Sequence, residues 1–223
     1  EPTIVPHFMD VCRVLSNAGV LLKIESNGMA LDVEALKGLA IRSVQISVDG
    51  ATQQTFAKQR PGGDLAKVLA SARAVKAAGL PLEITFAPTR LNIHEGEAVL
   101  KLAVEMGAFR FNSGALMKLG TAAKLWERLE PSRAQYEEFL AMLRRSESLP
   151  IDLCYLPFTL DEEREARREE PSGTLLIQPD GKVRPDVTRP EMCADLTQQS
   201  LAEAWDAYRE FCRPWSDRQR GAV

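Results

Sequence analysis

The first 120 residues alternate between stretches with helical spacing of apolar positions and short apolar runs typical of strands. In residues 64–78, for example, apolar side chains recur at helical spacing, and Gly79 follows as a stop signal. The same criteria predict helices over residues 6–19, 33–39, 64–78 and 95–106, and strands over residues 21–26, 43–49, 82–87 and 109–116.

This regular alternation predicts successive βαβ units and therefore a parallel sheet, either open or curved into a barrel. In both forms, ligands bind at the carboxyl ends of the strands. The four predicted strand ends carry small, polar or backbone-exposing residues: Asn27-Gly28, Asp49-Gly50, residues 88–90 and residues 112–114. Turn residues also end the strands of purely structural sheets, so position alone does not assign a site.

The pattern changes after about residue 118. A helix is predicted over residues 131–145, residues 151–156 have the composition of a strand, and the charge run at residues 161–170 is interpreted as a solvated helix face or a linker. Residues 174–187 predict a hairpin around the turn Pro179-Asp180-Gly181, and a further helix follows it. We therefore divide the chain into a parallel α/β part at 1–120, which the resemblance described below makes a partial (β/α) barrel, a helical connector at 121–172 and a small extension at 173–223.

Composition narrows the classes of function. Lys plus Arg is 28 and Asp plus Glu is 31, a formal net charge of −3, so the chain lacks the cationic excess expected of a nucleic-acid-binding protein. No apolar run approaches the ~18 residues of a membrane span, and the first residues lack the basic and apolar regions of a secretory signal. The four cysteines are scattered and only two histidines are present, which predicts no local metal motif and reduced thiols in a cytoplasmic protein.

Five segments, taken in order, resemble a known family. They are Glu1-Pro2-Thr3, the strand end Glu25-Ser26-Asn27-Gly28, the strand Gln45-Ile46-Ser47-Val48-Asp49-Gly50, Arg60 followed by Gly62-Gly63 and a helix, and the layout of residues 173–205. No segment is specific by itself, but their order and spacing match over nearly the whole chain. On these segments the chain resembles the radical S-adenosylmethionine (radical SAM) enzymes, in the branch with a SPASM or twitch-type C-terminal extension.

The resemblance implies a fold, two cofactors and two partners. The implied fold is an α/β partial (β/α) barrel of radical SAM type with a small C-terminal β-hairpin plus helix appendage. The implied cofactors are SAM and a 4Fe–4S cluster held by three cysteine thiolates. One electron from a reductant such as flavodoxin cleaves SAM to a 5′-deoxyadenosyl radical, which abstracts hydrogen from a small-molecule or peptide substrate.

By the same resemblance, six positions are expected to bind SAM, and no catalytic residue is identified. They are Glu1, Asn27, Ser47, Asp49, Arg60 and Ala115. Glu1 would accept a hydrogen bond from the SAM ammonium, and Arg60 would pair with its carboxylate. The three strand-end side chains would contact the ribose hydroxyls or the methionine moiety, and the backbone around Ala115 would receive the adenine edge.

Five of these residues have a structural alternative. Glu1 would be a disordered chain end. Asn27 and Asp49 would only shape turns. Ser47 would be an inward-facing strand residue whose hydroxyl bonds the backbone, and Arg60 would form a surface ion pair of little consequence.

The chain departs from the family pattern at its cysteines. The family's CxxxCxxC motif lies upstream of the segment that Glu1 resembles, and the four cysteines have the wrong spacing to replace it, so the cluster ligands are expected outside this sequence. In the extension, Val183-Arg184-Pro185 is followed by Asp186 where the pattern has a cysteine. We therefore expect no auxiliary cluster, with Cys193 and Cys212 as remnants.

Three interpretations stay open at this point. The chain is part of a longer radical SAM enzyme, or it is a degenerate, cluster-less member that acts as a peptide- or ligand-binding scaffold, or it is an unrelated α/β small-molecule binder. Iron and sulfide analysis of the full-length protein separates the first interpretation from the other two.

Overall fold

The computed structural model describes residues 1–155, 175–185, 187 and 190–220, with the backbone only for residues 213–220. Two compact units are present, Glu1–Leu156 and Pro157–Val223. No helix within the described residues has the length and apolar character needed to cross a membrane. The charge run at residues 161–170 and the expected cysteine position at Asp186 lie outside the described residues.

The first unit is built on a five-stranded parallel sheet whose strands follow one another in sequence order. They are β1 (Leu22–Ser26), β2 (Ile41–Ser47), β3 (Leu82–Phe86), β4 (Arg110–Ser113) and β5 (Asp152–Tyr155). The first four strands lie where the hydrophobic runs predict them. The fifth lies within the segment that we assigned to a helical connector, and it pairs with β4 as part of the same unit. The three-part division of the chain stays a prediction.

One α-helix of this unit precedes the first strand, and the others lie in the connections between successive strands. They are α1 (Phe8–Asn17), α2 (Val33–Leu36), α3 (Gln53–Gln59), α4 (Leu65–Ala77), α5 (Gly96–Glu105), α6 (Gly120–Lys124), α7 (Trp126–Leu129) and α8 (Arg133–Arg145), with short 3-10 helices at Pro2–Ile4 and Ile93–Glu95. The side chains of Asp32, Thr52, Asp64 and Ser132 cap the starts of α2, α3, α4 and α8 by accepting backbone N–H hydrogen bonds. Helix α3 escapes the periodicity criterion because Phe56 is its one large apolar residue.

One face of the sheet is apolar and packs against the helices. Its fully buried side chains include Val44, Ile46, Leu82, Ile84 and Phe111. Phe139 of α8 reaches Phe86 of β3, with ring centroids 5.7 Å apart. Each such buried side chain stabilises the fold by about 1.5–3 kcal/mol relative to its exposed state, so this face holds the sheet and helices together.

The opposite face carries polar side chains at every second strand position. One row, aligned across all five strands by the parallel register, consists of Glu25, Gln45, Glu83, Arg110 and Asp152. The next row toward the carboxyl ends consists of Ser47, Thr85, Asn112 and Cys154. A parallel sheet covered by helices on both faces has apolar side chains on both. The polar rows therefore indicate that this second face borders water or a ligand.

Direct contacts connect the polar rows. The Glu83 carboxylate, whose side chain is 3% exposed, accepts hydrogen bonds from Lys23 Nζ at 3.1 Å and from Asn112 Nδ2 at 2.7 Å. The Asn112 amide also donates to Gln45 Oε1 at 3.1 Å. The buried Glu83 thus joins side chains of β1 and β4, and Asn112 extends this network to β2.

The second unit contains a small antiparallel sheet and a long helix. Strands β6 (Leu176–Ile177), β7 (Lys182–Arg184) and β8 (Ala194–Asp195) pair in sequence order, and α9 covers Leu201–Arg220. Gly181 takes the positive φ of 81° that the predicted turn requires. The predicted α/β architecture with a C-terminal hairpin and helix is confirmed.

Candidate functional site

The carboxyl ends of the parallel strands all lie at one edge of the sheet. The strands end at Ser26, Ser47, Phe86, Ser113 and Tyr155. The parallel register aligns Ser26 with Ile46 and Ser47 with Thr85, so the residues just beyond β1 and β2 are neighbours at this edge. The six expected SAM-binding positions can now be placed relative to this edge.

Glu1 is fixed to the end of β1. Its carboxylate accepts hydrogen bonds from the Ser26 hydroxyl at 2.9 Å and from the Asn27 backbone N–H at 2.6 Å, and the Thr3 hydroxyl donates to it at 2.5 Å. Burial raises the pKa of Glu1, but the hydrogen bonds from Thr3, Asn27 and Ser26 outweigh this effect and the net pKa is lowered. Glu1 is therefore an ordered anion at the carboxyl edge.

Asn27 forms an Asx turn at the same strand end. Its side-chain oxygen accepts a hydrogen bond from the Met29 backbone N–H at 2.8 Å, which leaves the side-chain NH₂ without a recorded partner in the described part of the chain. Gly28 follows with a φ of 74°, and a Cβ there would lie 3.2 Å from Ile46. Asn27 both shapes the turn and retains a free donor.

Ser47 ends β2 beside the Asn27 turn. Its side chain is half-buried, and no hydrogen bond of its hydroxyl is recorded among the described residues. The alternative interpretation, a hydroxyl bonded to the backbone, has no contact to support it. The Ser47 hydroxyl is therefore free to bond a ligand at this edge.

Asp49 and Arg60 form a close pair at the tip of β2. Arg60 Nε donates to Asp49 Oδ2 at 2.6 Å, while Asp49 Oδ1 accepts from the Ala87 backbone N–H at 2.9 Å. The Asp49 side chain is 3% exposed and the Arg60 side chain is 36% exposed. The ion pair of Arg60 is therefore with a buried acid and not with the surface carboxylate of the structural alternative.

The segment after β4 contains the expected adenine position. The Ser113 hydroxyl donates to the Phe86 carbonyl at 3.0 Å, and the Leu116 backbone N–H donates to the Tyr136 hydroxyl at 2.9 Å. These contacts fix the backbone on both sides of Ala115, whose own N–H and C=O have no recorded bond in the residues described. Burial raises the pKa of Tyr136, more than the Leu116 N–H lowers it, so this phenol stays neutral.

Direct contacts join the expected residues in two groups, Glu1 with Asn27 and Asp49 with Arg60. Ser47 is the last residue of β2 and Ala115 follows the end of β4 by two residues, so both lie at this edge. Neither has a recorded side-chain contact to either group. The assignment of all six to SAM stays a prediction.

Sequence reasoning missed two loop residues behind this edge. Asn92 is fully buried, and its side-chain NH₂ donates to the carbonyls of Asp49 and Ala87, both at 3.0 Å. The Glu95 carboxylate accepts from the backbone N–H groups of Ala51 at 2.7 Å and Thr52 at 3.1 Å. The available signal was the presence of two polar residues, Asn92 and Glu95, soon after the predicted third strand. The partners that tie them to the tip of β2 lie more than forty residues earlier in the sequence.

The described residues do not fit an iron–sulfur cluster. They contain no group of three or more His, Cys, Asp or Glu side chains able to hold a metal ion. Of the four cysteines, Cys12 and Cys154 lie in the first unit and Cys193 and Cys212 in the second, and Cys12 and Cys212 are buried. No step of the chemistry is therefore derived through cluster ligands from this part of the chain.

Comparison with known proteins gives relatives but no matching family model. The chain is 28% identical to the PqqA peptide cyclase of Ruegeria pomeroyi over 96% of its own length and 64% of that protein. It is 23% identical to the AdoMet-dependent heme synthase of Methanosarcina barkeri, over 95% of its length and 67% of that protein. The chain thus spans about two thirds of the length of these curated relatives.

Solved structures share the fold. Streptococcus suis SuiB bound to its precursor peptide SuiA matches with a TM-score of 0.71 at 13% identity, over 92% of this chain and 52% of SuiB. The anSMEcpe structure with bound AdoMet and the Cp18Cys peptide matches with a TM-score of 0.62 at 15% identity, over 94% of this chain and 65% of that one. The curated relatives and the shared fold thus support the resemblance of this chain to the radical SAM enzymes.

Proposed function

We propose that the full-length protein is a SAM-dependent radical enzyme of the SPASM/twitch-type branch that abstracts hydrogen from a peptide substrate. The observation that carries the proposal is the presence of an ordered acid, Glu1, and a held arginine, Arg60, at the same edge of a parallel sheet. SAM presents an ammonium and a carboxylate on one carbon, and these two side chains are complementary to that pair of charges. The peptide substrate is supported by the PqqA peptide cyclase, which matches 96% of the chain.

Each expected residue has a binding task in this proposal. The Glu1 carboxylate accepts a hydrogen bond from the SAM ammonium, and the terminal nitrogens of Arg60 donate to its carboxylate. The side-chain NH₂ of Asn27 and the hydroxyl of Ser47 bond the ribose or methionine oxygens. The free backbone groups of Ala115 bond the adenine edge. Together they hold the sulfonium in one orientation above the polar face of the sheet, where the substrate would lie.

The proposal requires groups that the described residues do not contain. A 4Fe–4S cluster supplies the electron that cleaves the C–S bond of SAM, and its cysteine ligands would come from another part of the full-length protein. An electron donor such as flavodoxin would reduce that cluster. We propose the cytoplasm as the compartment, supported by the free thiols of Cys12, Cys154 and Cys193.

A second function, a cluster-less binding scaffold, is favoured by one observation. The described residues lack a three-cysteine group, as a degenerate member would. Such a protein would bind its peptide or ligand without radical chemistry.

Iron and sulfide analysis of the anaerobically purified full-length protein distinguishes the two functions. The enzyme is expected to contain stoichiometric iron and sulfide, to bind SAM, and to form 5′-deoxyadenosine faster when a peptide encoded near its gene is added. A protein that lacks iron after anaerobic reconstitution supports the scaffold. Iron with SAM cleavage that no tested peptide stimulates contradicts the peptide substrate alone.

A further inference from the structure

We propose that Asp49 is a positioning residue that orients Arg60 and does not itself contact SAM. The inference rests on the proposed function and changes the role expected for Asp49 from the sequence. It starts from the occupancy of the Asp49 carboxylate. Oδ1 accepts from the Ala87 backbone N–H at 2.9 Å and Oδ2 accepts from Arg60 Nε at 2.6 Å, and the side chain is 3% exposed.

Each oxygen could accept a further hydrogen bond, but the side chain is only 3% exposed, so a ligand hydroxyl has little access to this acid beyond the two partners already in place. Both are charged or backbone donors inside the protein, and a hydrogen bond to a charged group of this kind is worth about 1.5–3 kcal/mol. Asp49 therefore acts on the ligand through Arg60.

The bond to Nε fixes the direction of the Arg60 guanidinium. This group is planar, so a partner on Nε sets the plane in which both terminal nitrogens lie. Those nitrogens have no recorded hydrogen bond in the residues that the structure describes, and the side chain is 36% exposed. Arg60 also ends α3 with its backbone held, because its N–H donates to the Phe56 carbonyl at 2.8 Å and its C=O accepts from the Gly63 N–H at 2.9 Å. The free side of the guanidinium is thus presented for a two-point contact with a carboxylate.

The buried loop residues hold Asp49 itself in place. Asn92 bonds the Asp49 carbonyl and the Ala87 carbonyl, and its side-chain oxygen accepts from the Thr89 backbone N–H at 2.7 Å. Glu95 bonds the two backbone N–H groups that precede α3. The segment from the tip of β2 to Arg60 is therefore fixed at both ends without a ligand. This arrangement lowers the ordering cost of binding.

The test is a double-mutant cycle on SAM affinity. The full-length, anaerobically reconstituted protein is prepared as wild type, Asp49→Asn, Arg60→Gln and the double variant, and the Kd of SAM is measured by calorimetry. Asp49→Asn keeps an oxygen for the Ala87 N–H but removes the charge beside Arg60. The control is Asp10→Asn, which breaks the exposed 2.9 Å pair with Arg13 on α1 and should leave the Kd unchanged.

We expect Asp49→Asn to raise the Kd about tenfold, and the double variant to bind no more weakly than Arg60→Gln alone. Additive losses would overturn the inference, because they would mean that Asp49 contacts SAM or supports it independently of Arg60. A further variant, Arg60→Lys, keeps the positive charge but removes the planar guanidinium with its two terminal nitrogens. It should also weaken SAM binding while leaving the melting temperature near that of wild type. Wild-type affinity in Arg60→Lys would overturn the inference too. Absence of SAM binding in the wild type would instead contradict the proposed function, and the inference with it.

Discussion

Replacing Glu83 by Gln tests the physical account of the polar face. The side chain is 3% exposed and accepts hydrogen bonds from Lys23 and Asn112. Glutamine has the same shape, but it has lost the charge, and its NH₂ then faces the donors of its neighbours. The substitution therefore isolates the value of the buried carboxylate.

The expected cost follows from the two partners. The Asn112 hydrogen bond to a buried charge is worth about 1.5–3 kcal/mol. The Lys23 contribution is discounted to about 0–1 kcal/mol, because that side chain is 38% exposed and becomes solvated when the pair is broken. We expect Glu83→Gln to lower the free energy of unfolding by about 2 kcal/mol. The matched control is Glu25→Gln. Glu25 belongs to the same row and lies 3.7 Å from the same lysine, but it is 64% exposed.

The assay is urea denaturation of the full-length protein without SAM, followed by circular dichroism. Glu25→Gln should change the unfolding free energy by less than about 0.5 kcal/mol. Equal effects of the two substitutions would refute the reasoning, because burial would then make no difference to the value of the acid.

The same variant has a defined pH dependence. Burial raises the pKa of Glu83, but the nearby polar groups of Ser43, Asn112 and Lys23 prevail and the net pKa lies below its ordinary value of 4.5. A group whose pKa is lowered by folding stabilises the fold at pH values above its unfolded pKa, and this stabilisation is lost as the pH falls toward the folded pKa. The difference between wild type and Glu83→Gln should therefore be full at neutral pH and shrink below about pH 4.5. A difference that grows on acidification would contradict the assigned direction.

Three further substitutions, at Gly28, Asn92 and Tyr136, test other contacts of the first unit. Gly28→Ala should lower the free energy of unfolding by about 1–3 kcal/mol, since it combines a left-handed φ with crowding by β2 and α4. Gly38 also has a positive φ but open space around it, so Gly38→Ala should cost only about 1 kcal/mol. Equal shifts of the melting temperature would count against the crowding. Asn92→Ala should cost about 2–4 kcal/mol in urea denaturation because it leaves buried carbonyls unsatisfied, and the exposed Asn17→Ala should cost less than about 0.5 kcal/mol. Tyr136→Phe removes the acceptor of a backbone N–H in the expected adenine segment and should cost about 1 kcal/mol. An unchanged midpoint would argue against that hydrogen bond.

The strands of the sheet could be predicted because their apolar side chains repeat with a period set by the backbone. Residues 43–49 and 82–87 alternate or run apolar and end at turn residues; β3 lies within the second range, and β2 overlaps the first but begins and ends two residues earlier. Helix α3 could not be predicted in this way, because its position depends on the Thr52 cap and on the distant Glu95. A repeat of apolar residues indicates a helix with a buried face, and α3 buries only Thr55 and Phe56.

The candidate site, too, could be predicted from the sequence only in part. The strand ends at Asn27, Ser47 and Asp49 could be placed at one edge from the order of elements alone. The pairing of Asp49 with Arg60 and the bonds of Asn92 could not, because they depend on side-chain directions across loops. A sequence shows which polar residues reach an edge, and the structure shows which of them are already occupied.

The two-sided sheet separates two kinds of evolutionary constraint. Substitutions in the polar rows change the face that borders water or a ligand, while the apolar face on the other side of the sheet keeps its side chains. The chemistry of the polar face can therefore change through strand positions of one parity, while the positions of the other parity hold the sheet to its helices.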